Sequence, residues 1–247
     1  MLRPLRSLIL LLCLACVVPA WATSALPLLK LSAADLATPL SIEHSLLLED
    51  PSGQLSASEV LQRIAQEGRQ VQGTARIGYT RSAWWLAVQL QAPAAERLQL
   101  IIGQAFLDDL EIWMFDGEQP LGPLYSGAKR PFNERGEPYP QFLLNLPRLD
   151  DRPHSLLLRV QSHSAINLPL QVVGAEQGQQ LIAHSWLQSG LLIGALLALA
   201  LFYLVKFSTL REAQLAYFSL TSLCVALYNT SLYNIAGLFW PQWTLLP

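Results

Sequence analysis

The chain has 247 residues, of which 52% are hydrophobic and only 14% charged, with a formal net charge of −2. Soluble domains carry about 25% charged residues, so part of this chain is built for surroundings other than water. The shortage is uneven: residues 23–184 hold 12 Lys and Arg against 17 Asp and Glu, whereas residues 185–247 carry only Lys206, Arg211 and Glu212. A net charge of −5 over the front part lacks the basic field that displaces phosphate counterions, which excludes nucleic acid as a partner.

Catalytic chemistry finds little to use. Cys13 and Cys16 sit in an N-terminal apolar run and Cys224 in the tail, so residues 23–184 offer no disulfide framework, Cys-based zinc site or cysteine nucleophile. His44, His154, His163 and His184 are scattered without metal-ligand spacing, and phosphate-loop, dinucleotide, nucleophile-elbow and zinc-protease motifs are missing. The expectation is a protein with no catalytic residues, no metal and no cofactor. An exported hydrolase on Asp108, Asp109 and Glu111 is disfavoured, because neighbouring strand residues point to opposite faces.

Residues 1–22 predict a secretory signal peptide. Arg3 and Arg6 precede an apolar core over 7–18, and Ala20-Trp21-Ala22 supplies a small-residue cleavage site. The alternative, an uncleaved anchor, is short for roughly 30 Å of hydrocarbon. Residues 23–49 predict one or two short strands, and Pro51-Ser52-Gly53 a turn. Ser56 and Glu59 have capping-box spacing and open a helix over 57–66, with Val60, Leu61 and Ile64 on one stripe and Gly68 ending it.

Short alternating segments follow at 75–79, 82–91, 97–103, 109–115, 141–146, 154–161 and 168–173, separated by turn signals such as Asp116-Gly117, Gly127 and Gly136. This spacing, with no long helix between, predicts a mainly β domain over 23–180, an antiparallel sandwich or barrel. Period-two alternation puts Trp84, Leu86, Val88 and Leu90 on one face with Leu110, Ile112, Met114, Leu156, Leu158 and Val160. The other face collects Trp85, Gln89, Glu111, Trp113, Arg159 and Gln161.

An open face of aromatic rings with a few fixed polar groups is the composition that binds sugars and other small polar ligands. On that reading Trp85, Trp113, Glu111, Arg159 and Gln161 contact ligand, and Trp85→Ala leaves the domain folded. The alternative is structural: Trp85 and Trp113 finish the core under a loop, and Arg159 pairs with Glu111.

Residues 185–205 are 21 uncharged residues, enough for one membrane span at about 1.5 Å per residue. The expected order is a first span over 185–207, a turn over 208–212, a second span over 213–235, and an aromatic interfacial end over 236–247 with Phe239, Trp240 and Trp243. Lys206 and Arg211 assign the turn to the cytoplasm, which leaves the preceding domain periplasmic and the protein in the bacterial inner membrane.

Several strings resemble one family. They are Gly78-Tyr79-Thr80-Arg81-Ser82-Ala83-Trp84-Trp85-Leu86, Phe106-Leu107-Asp108-Asp109-Leu110-Glu111, Gly127 with Arg130-Pro131-Phe132 and Arg135, Leu157-Leu158-Arg159-Val160-Gln161-Ser162, and Ile166-Asn167-Leu168-Pro169-Leu170. In the tail, Gly190 to Ala195, Phe202-Tyr203, Arg211-Glu212, Tyr217 and Gly237-Leu238 join them. This resembles the type-2 extracellular domain and first two helices of the bacterial seven-transmembrane receptors with diverse intracellular signalling modules, over residues 40–247. The resemblance implies a periplasmic jelly roll like carbohydrate-binding modules, seven helices and a cytoplasmic output domain. The chain departs from it after Gly127, with Ala128-Lys129 where the family often has an acidic residue. Asp108 and Arg135 join the candidate ligand contacts here; the alternatives are a loop cap for Asp108 and an ion pair of Arg135 with Glu134 or Glu137.

The expected function is the input part of a membrane receptor, with an output domain beyond this chain. The alternative is a stand-alone membrane-tethered binding protein. Expected partners are a small polar or carbohydrate ligand, membrane lipid, and a receptor partner or a second copy.

Overall fold

The computed structural model describes residues 26–94, 96–131 and 134–232. The expected signal peptide, residues 233–235 of the second expected span and the interfacial end over 236–247 lie outside the described residues, as does Phe132. Thirteen strands are present among the described residues: β1 (Leu28–Lys30), β2 (Leu40–Ser41), β3 (His44–Asp50), β4 (Arg69–Gln72), β5 (Ala75–Gly78), β6 (Ala83–Gln91), β7 (Leu98–Ile102), β8 (Asp109–Asp116), β9 (Gln119–Ser126), β10 (Phe142–Asn145), β11 (His154–Gln161), β12 (Ile166–Leu168) and β13 (Leu170–Gly174). Three α-helices, α1 (Ala57–Glu67), α2 (Ala175–Leu210) and α3 (Ala213–Leu232), and one 3-10 turn at Asp35–Ala37 accompany them.

A seven-stranded sheet runs in the order β4-β3-β6-β11-β8-β9. β1 joins it in parallel beside β6 at Gln89–Gln91, where the antiparallel pairing of β3 with β6 has run out. A four-stranded sheet has the order β10-β7-β13-β2, and β12 pairs with β5. One core lies between the two larger sheets. Leu86, Val88 and Leu90 of β6, Ile112 of β8 and Leu158 of β11 meet Leu100 of β7, Leu144 of β10 and Val172 of β13 there. This is the apolar face that alternation along β6, β8 and β11 predicts, and two mainly antiparallel sheets closing on it form a sandwich.

The other face of the large sheet is apolar too. Leu46, Leu48, Trp85, Ala87 and Leu157 pack with Ala57, Val60 and Ile64 of α1. The capping box forms as its spacing requires: Glu59 N–H donates to Ser56 Oγ at 3.3 Å, and Ser56 N–H donates to Glu59 Oε2 at 2.8 Å. The stripe of Val60 and Ile64, both fully buried, is what lets an 11-residue helix persist, because tertiary packing rather than propensity sustains short helices.

Four elements differ from the sequence expectation, the first being β4, a strand over Arg69–Gln72 where none is expected. β9 is a full strand despite Pro120 and Pro123; it lies at the sheet edge, where a missing N–H costs nothing. Pro169 divides the expected segment 168–173 into β12 and β13, which join different sheets. Residues 26–50 hold three strands, and β3 is a central member of the large sheet rather than part of a leader.

In the tail, α2 is 36 residues long and starts ten residues before the expected span. It ends at Arg211 in the left-handed region (φ 56°), and α3 returns beside it. The Tyr203 and Phe218 rings stack at 5.3 Å, and Ser219 Oγ donates to the Ala200 carbonyl at 2.8 Å. Two spans were expected; among the described residues only α2 is apolar enough along its length to cross a membrane. α3 carries Gln214, Ser219, Thr221, Ser222, Asn229 and Thr230, and four of these return side-chain hydrogen bonds to carbonyls of the preceding turn.

Trp85 lies beneath α1 and is 1% exposed, so Trp85→Ala acts on the packing of that second core. Removing the indole is expected to cost about 3–5 kcal/mol, read as a lower denaturation midpoint of the full chain.

Candidate functional site

β8 and β11 pair so that Glu111 stands directly opposite Arg159 and Trp113 opposite Leu157. All four therefore project from the outer face of the large sheet, the face α1 partly covers. Arg159 Nη1 donates to Glu111 Oε1 at 2.9 Å. Its Nη2 donates to the Gly53 carbonyl and to Gln161 Oε1, both at 3.0 Å. The planar fork thus ties two strands to the turn that launches α1.

That turn is organised from below by Asp50, a carboxylate 1% exposed. Asp50 Oδ1 accepts from Ser52 Oγ at 2.6 Å and from Gly53 N–H at 2.8 Å, and Oδ2 accepts from Leu55 N–H at 3.0 Å. Gly53 has φ +66°, a conformation that glycine enters without steric cost. Burial opposes ionisation of Asp50, but the donors from Ser52, Leu55 and Gly53 outweigh it and hold the carboxyl below its ordinary 3.8.

The predicted site residues divide into separate places. Trp85 is on the expected face, but α1 roofs it, so the face is closed at that position. Glu111, Trp113, Arg159 and Gln161 do come together at the margin of α1, with Trp113 Nε1 donating to Glu111 Oε2 at 3.4 Å and its ring stacked 6.5 Å from Phe115. Trp113 and Gln161 are half-buried, and the Glu111 side chain keeps 22% exposure, so this margin is reachable from solvent.

Asp108 and Arg135 lie in loops. Asp108 Oδ2 accepts from His163 N–H at 2.7 Å and stands 2.8 Å from His163 Nδ1, with Lys129 Nζ at 3.8 Å. Burial opposes ionisation of Asp108, but these contacts prevail and hold its carboxyl below the ordinary value. Arg135 pairs with neither Glu134 nor Glu137; it donates to the Arg130 carbonyl at 2.9 Å and to the Ala128 carbonyl, and burial lowers its pKa. It staples one loop to itself.

Strand pairing explains a relation that the string of motifs alone did not express. Asp50 opposes Ala83, Gln161 opposes Asp109, and Ser126 opposes Leu110. The segments 51–56, 79–82, 103–108, 127–131 and 162–165 consequently lie at one end of the sandwich. Gly127 (φ +130°) sits directly against the Asp108 carbonyl, and Ala128 N–H donates to the Leu107 carbonyl at 2.7 Å, which locks two of these loops together. At the opposite end Asp116, Asp150 and His154 bring three ligand atoms within 4.8 Å of one another, but Arg152 already bonds both carboxylates there.

A family model described as 7TMR-DISM extracellular 2 matches residues 43–174, from the start of β3 to the end of β13. The chain belongs to this family. No curated protein matches it. One solved structure, from work on the promiscuous specificity of carbohydrate-binding modules of the β-sandwich superfamily, aligns at 10% identity and a TM-score of 0.24. The alignment covers 55% of this chain and 54% of that one, and at that score it carries no argument. The 7TMR-DISM extracellular match ends at Gly174, one residue before α2 begins, so the family unit and the helix share a peptide bond.

Two outcomes follow from the margin cluster. In a double-mutant cycle of Arg159→Ala and Glu111→Ala, the coupling is expected to be about 1–2 kcal/mol, because the pair is mostly shielded from water. Asp50 has a folded value below its unfolded one, so its stabilisation is complete above pH 3.8 and is lost as pH falls through the folded value. Asp50→Asn should lower stability at pH 7 by about 1–2 kcal/mol and flatten the acid limb of a pH-denaturation profile.

Proposed function

We propose that this chain is the input portion of a membrane signal-transduction receptor, anchored in the bacterial inner membrane by α2, with its sandwich, a jelly roll, on the periplasmic side. The sandwich takes up a small polar or saccharide-like ligand at the margin of α1, where the Trp113 ring offers a stacking surface and Glu111, Arg159 and Gln161 fix orientation. The bound state then biases the packing of the helices toward an output carried elsewhere.

The observation that supports this most is the junction. β13 passes into α2 at Gly174 with no linker residue, and Ala175 N–H donates to the Arg97 carbonyl at 2.8 Å. The first turns of α2 remain on the four-stranded sheet, with Ile182 in a cluster with Ile101, Leu143 and Val173. A shift between the sheets therefore moves the helix directly, with no slack to absorb it. Membership of an extracellular family, together with one apolar helix, fits a sensory input module outside the cell.

The test uses the full chain in lipid nanodiscs and a panel of mono- and oligosaccharides and small carboxylates. A ligand at 100 times its Kd stabilises by about 2.7 kcal/mol, which raises the melting temperature by about 5–10 °C for a protein of this size. Trp113→Ala is expected to keep the circular dichroism spectrum and to lose that increase. A ligand that stabilises Trp113→Ala as strongly as the natural chain would remove the margin of α1 from consideration.

A further inference from the structure

The apolar helix does not leave the sandwich at the end where it begins. Ala175 is tied to Arg97, just before β7. One turn on, Gly178 lies so close to Gln99 that a Cβ there would overlap its side chain. Ile182 reaches Ile101 and Leu143, and Trp186 Nε1 donates to the Pro138 carbonyl at 3.0 Å. The helix thus crosses the four-stranded sheet from β13 to the β10 edge, travelling toward the end where β7 finishes and β10 starts. It clears the sheet near Trp186, within the first turn of the uncharged stretch 185–205. The end of the sandwich that holds the segments 79–82, 103–108 and 127–131 therefore lies beside the outgoing helix.

That end has an unusual surface. Outside α2 and α3, four large hydrophobic side chains are exposed among the described residues: Leu28, Tyr79, Phe106 and Tyr125. Three of them gather here. Tyr79 is 83% exposed and Phe106 54% exposed in loops, and Tyr125 stands one residue before β9 ends. Arg81 and Lys129 are exposed in the same group of loops, Lys129 keeping 61% side-chain exposure while its Nζ stands 3.8 Å from the Asp108 carboxylate. Exposed aromatic tips beside basic side chains match the chemistry of the bilayer interface, where rings settle among headgroups and cations face phosphates.

We propose that this loop end is a membrane-contact surface, with Phe106 and Tyr79 seated in the headgroup layer of the bilayer that α2 crosses. The inference rests on the reading of α2 as a membrane span. It gives the sandwich a second attachment besides the helix, so the domain is held against the lipid rather than swinging on α2. Trp186 is the aromatic side chain at the outer start of the uncharged stretch.

The test measures depth by spin labelling of the full chain in nanodiscs of phosphatidylethanolamine and phosphatidylglycerol, with Cys13, Cys16 and Cys224 replaced by Ser. Single labels are placed through Phe106→Cys, Leu197→Cys near the middle of the uncharged stretch of α2, and Glu118→Cys at the opposite end of the sandwich. Collision with oxygen, which concentrates in lipid, is compared with collision with a water-soluble nickel chelate. The Leu197 label is expected deep in lipid, the Glu118 label in water, and the Phe106 label at headgroup depth, with an oxygen-to-nickel ratio several-fold above that at Glu118. A deep Leu197 label with Phe106 as aqueous as Glu118 overturns the contact surface and leaves the span intact. An aqueous Leu197 label overturns the span, and the contact surface with it.

Discussion

The large sheet is apolar on both faces, so it has to be covered twice, and most of this structure follows from how that is done. Leu86, Leu158 and Ile112 face the four-stranded sheet, while Trp85, Leu157 and Leu46 face α1. An uncovered second face would expose a contiguous apolar patch of the kind soluble domains avoid. The cover is a single short helix, and its position depends on the turn held from below by Asp50 and from the side by Arg159. A buried carboxylate and a shielded guanidinium thus decide where an apolar helix lies.

On the proposed reading of the α1 margin as a ligand site, the same arrangement determines where a ligand is met. Because α1 is only 11 residues long, it roofs Trp85 and leaves Trp113 half-buried at its margin. The polar groups beside Trp113 are already bonded to each other and to Gly53. A ligand that competes for Arg159 or Glu111 would loosen the hold on the α1 turn, which links occupancy of the margin to the cover of the second core. On the far side of the molecule, the closeness of Gly178 to Gln99 and the cluster around Ile182 tie α2 to the other sheet. The sandwich core lies between these two attachments and, being densely packed, passes displacement rather than absorbing it.

Much of this was legible from the residues. Alternation along β6, β8 and β11 assigns each apolar side chain to the face it occupies, because a strand has only two faces and the register is antiparallel. The capping box at Ser56 and Glu59 and the stop at Gly68 mark α1 to within a residue. The residues alone allow Arg159 either to pair with Glu111 or to meet a ligand, and cross-strand register brings it to Glu111. β9 was not legible, since Pro120, Gly122 and Pro123 read as loop and only an edge position accommodates them.

What stayed hidden depends on segments distant in sequence. Trp85 reads as lying on an open face because no local pattern states that a helix some twenty residues earlier folds back over it. The loop strings Tyr79 to Ser82, Phe106 to Asp108 and Gly127 to Arg130 read as unrelated motifs until pairing brings them to one end. The amino-acid sequence by itself determined the periodic elements, the two-faced sheet and the apolar helix, since these follow from side-chain spacing of 2 or about 3.6 residues along a single element. Only the tertiary structure decided which face is roofed, which polar groups meet, and toward which end the helix runs, because each depends on contacts between residues far apart in the chain.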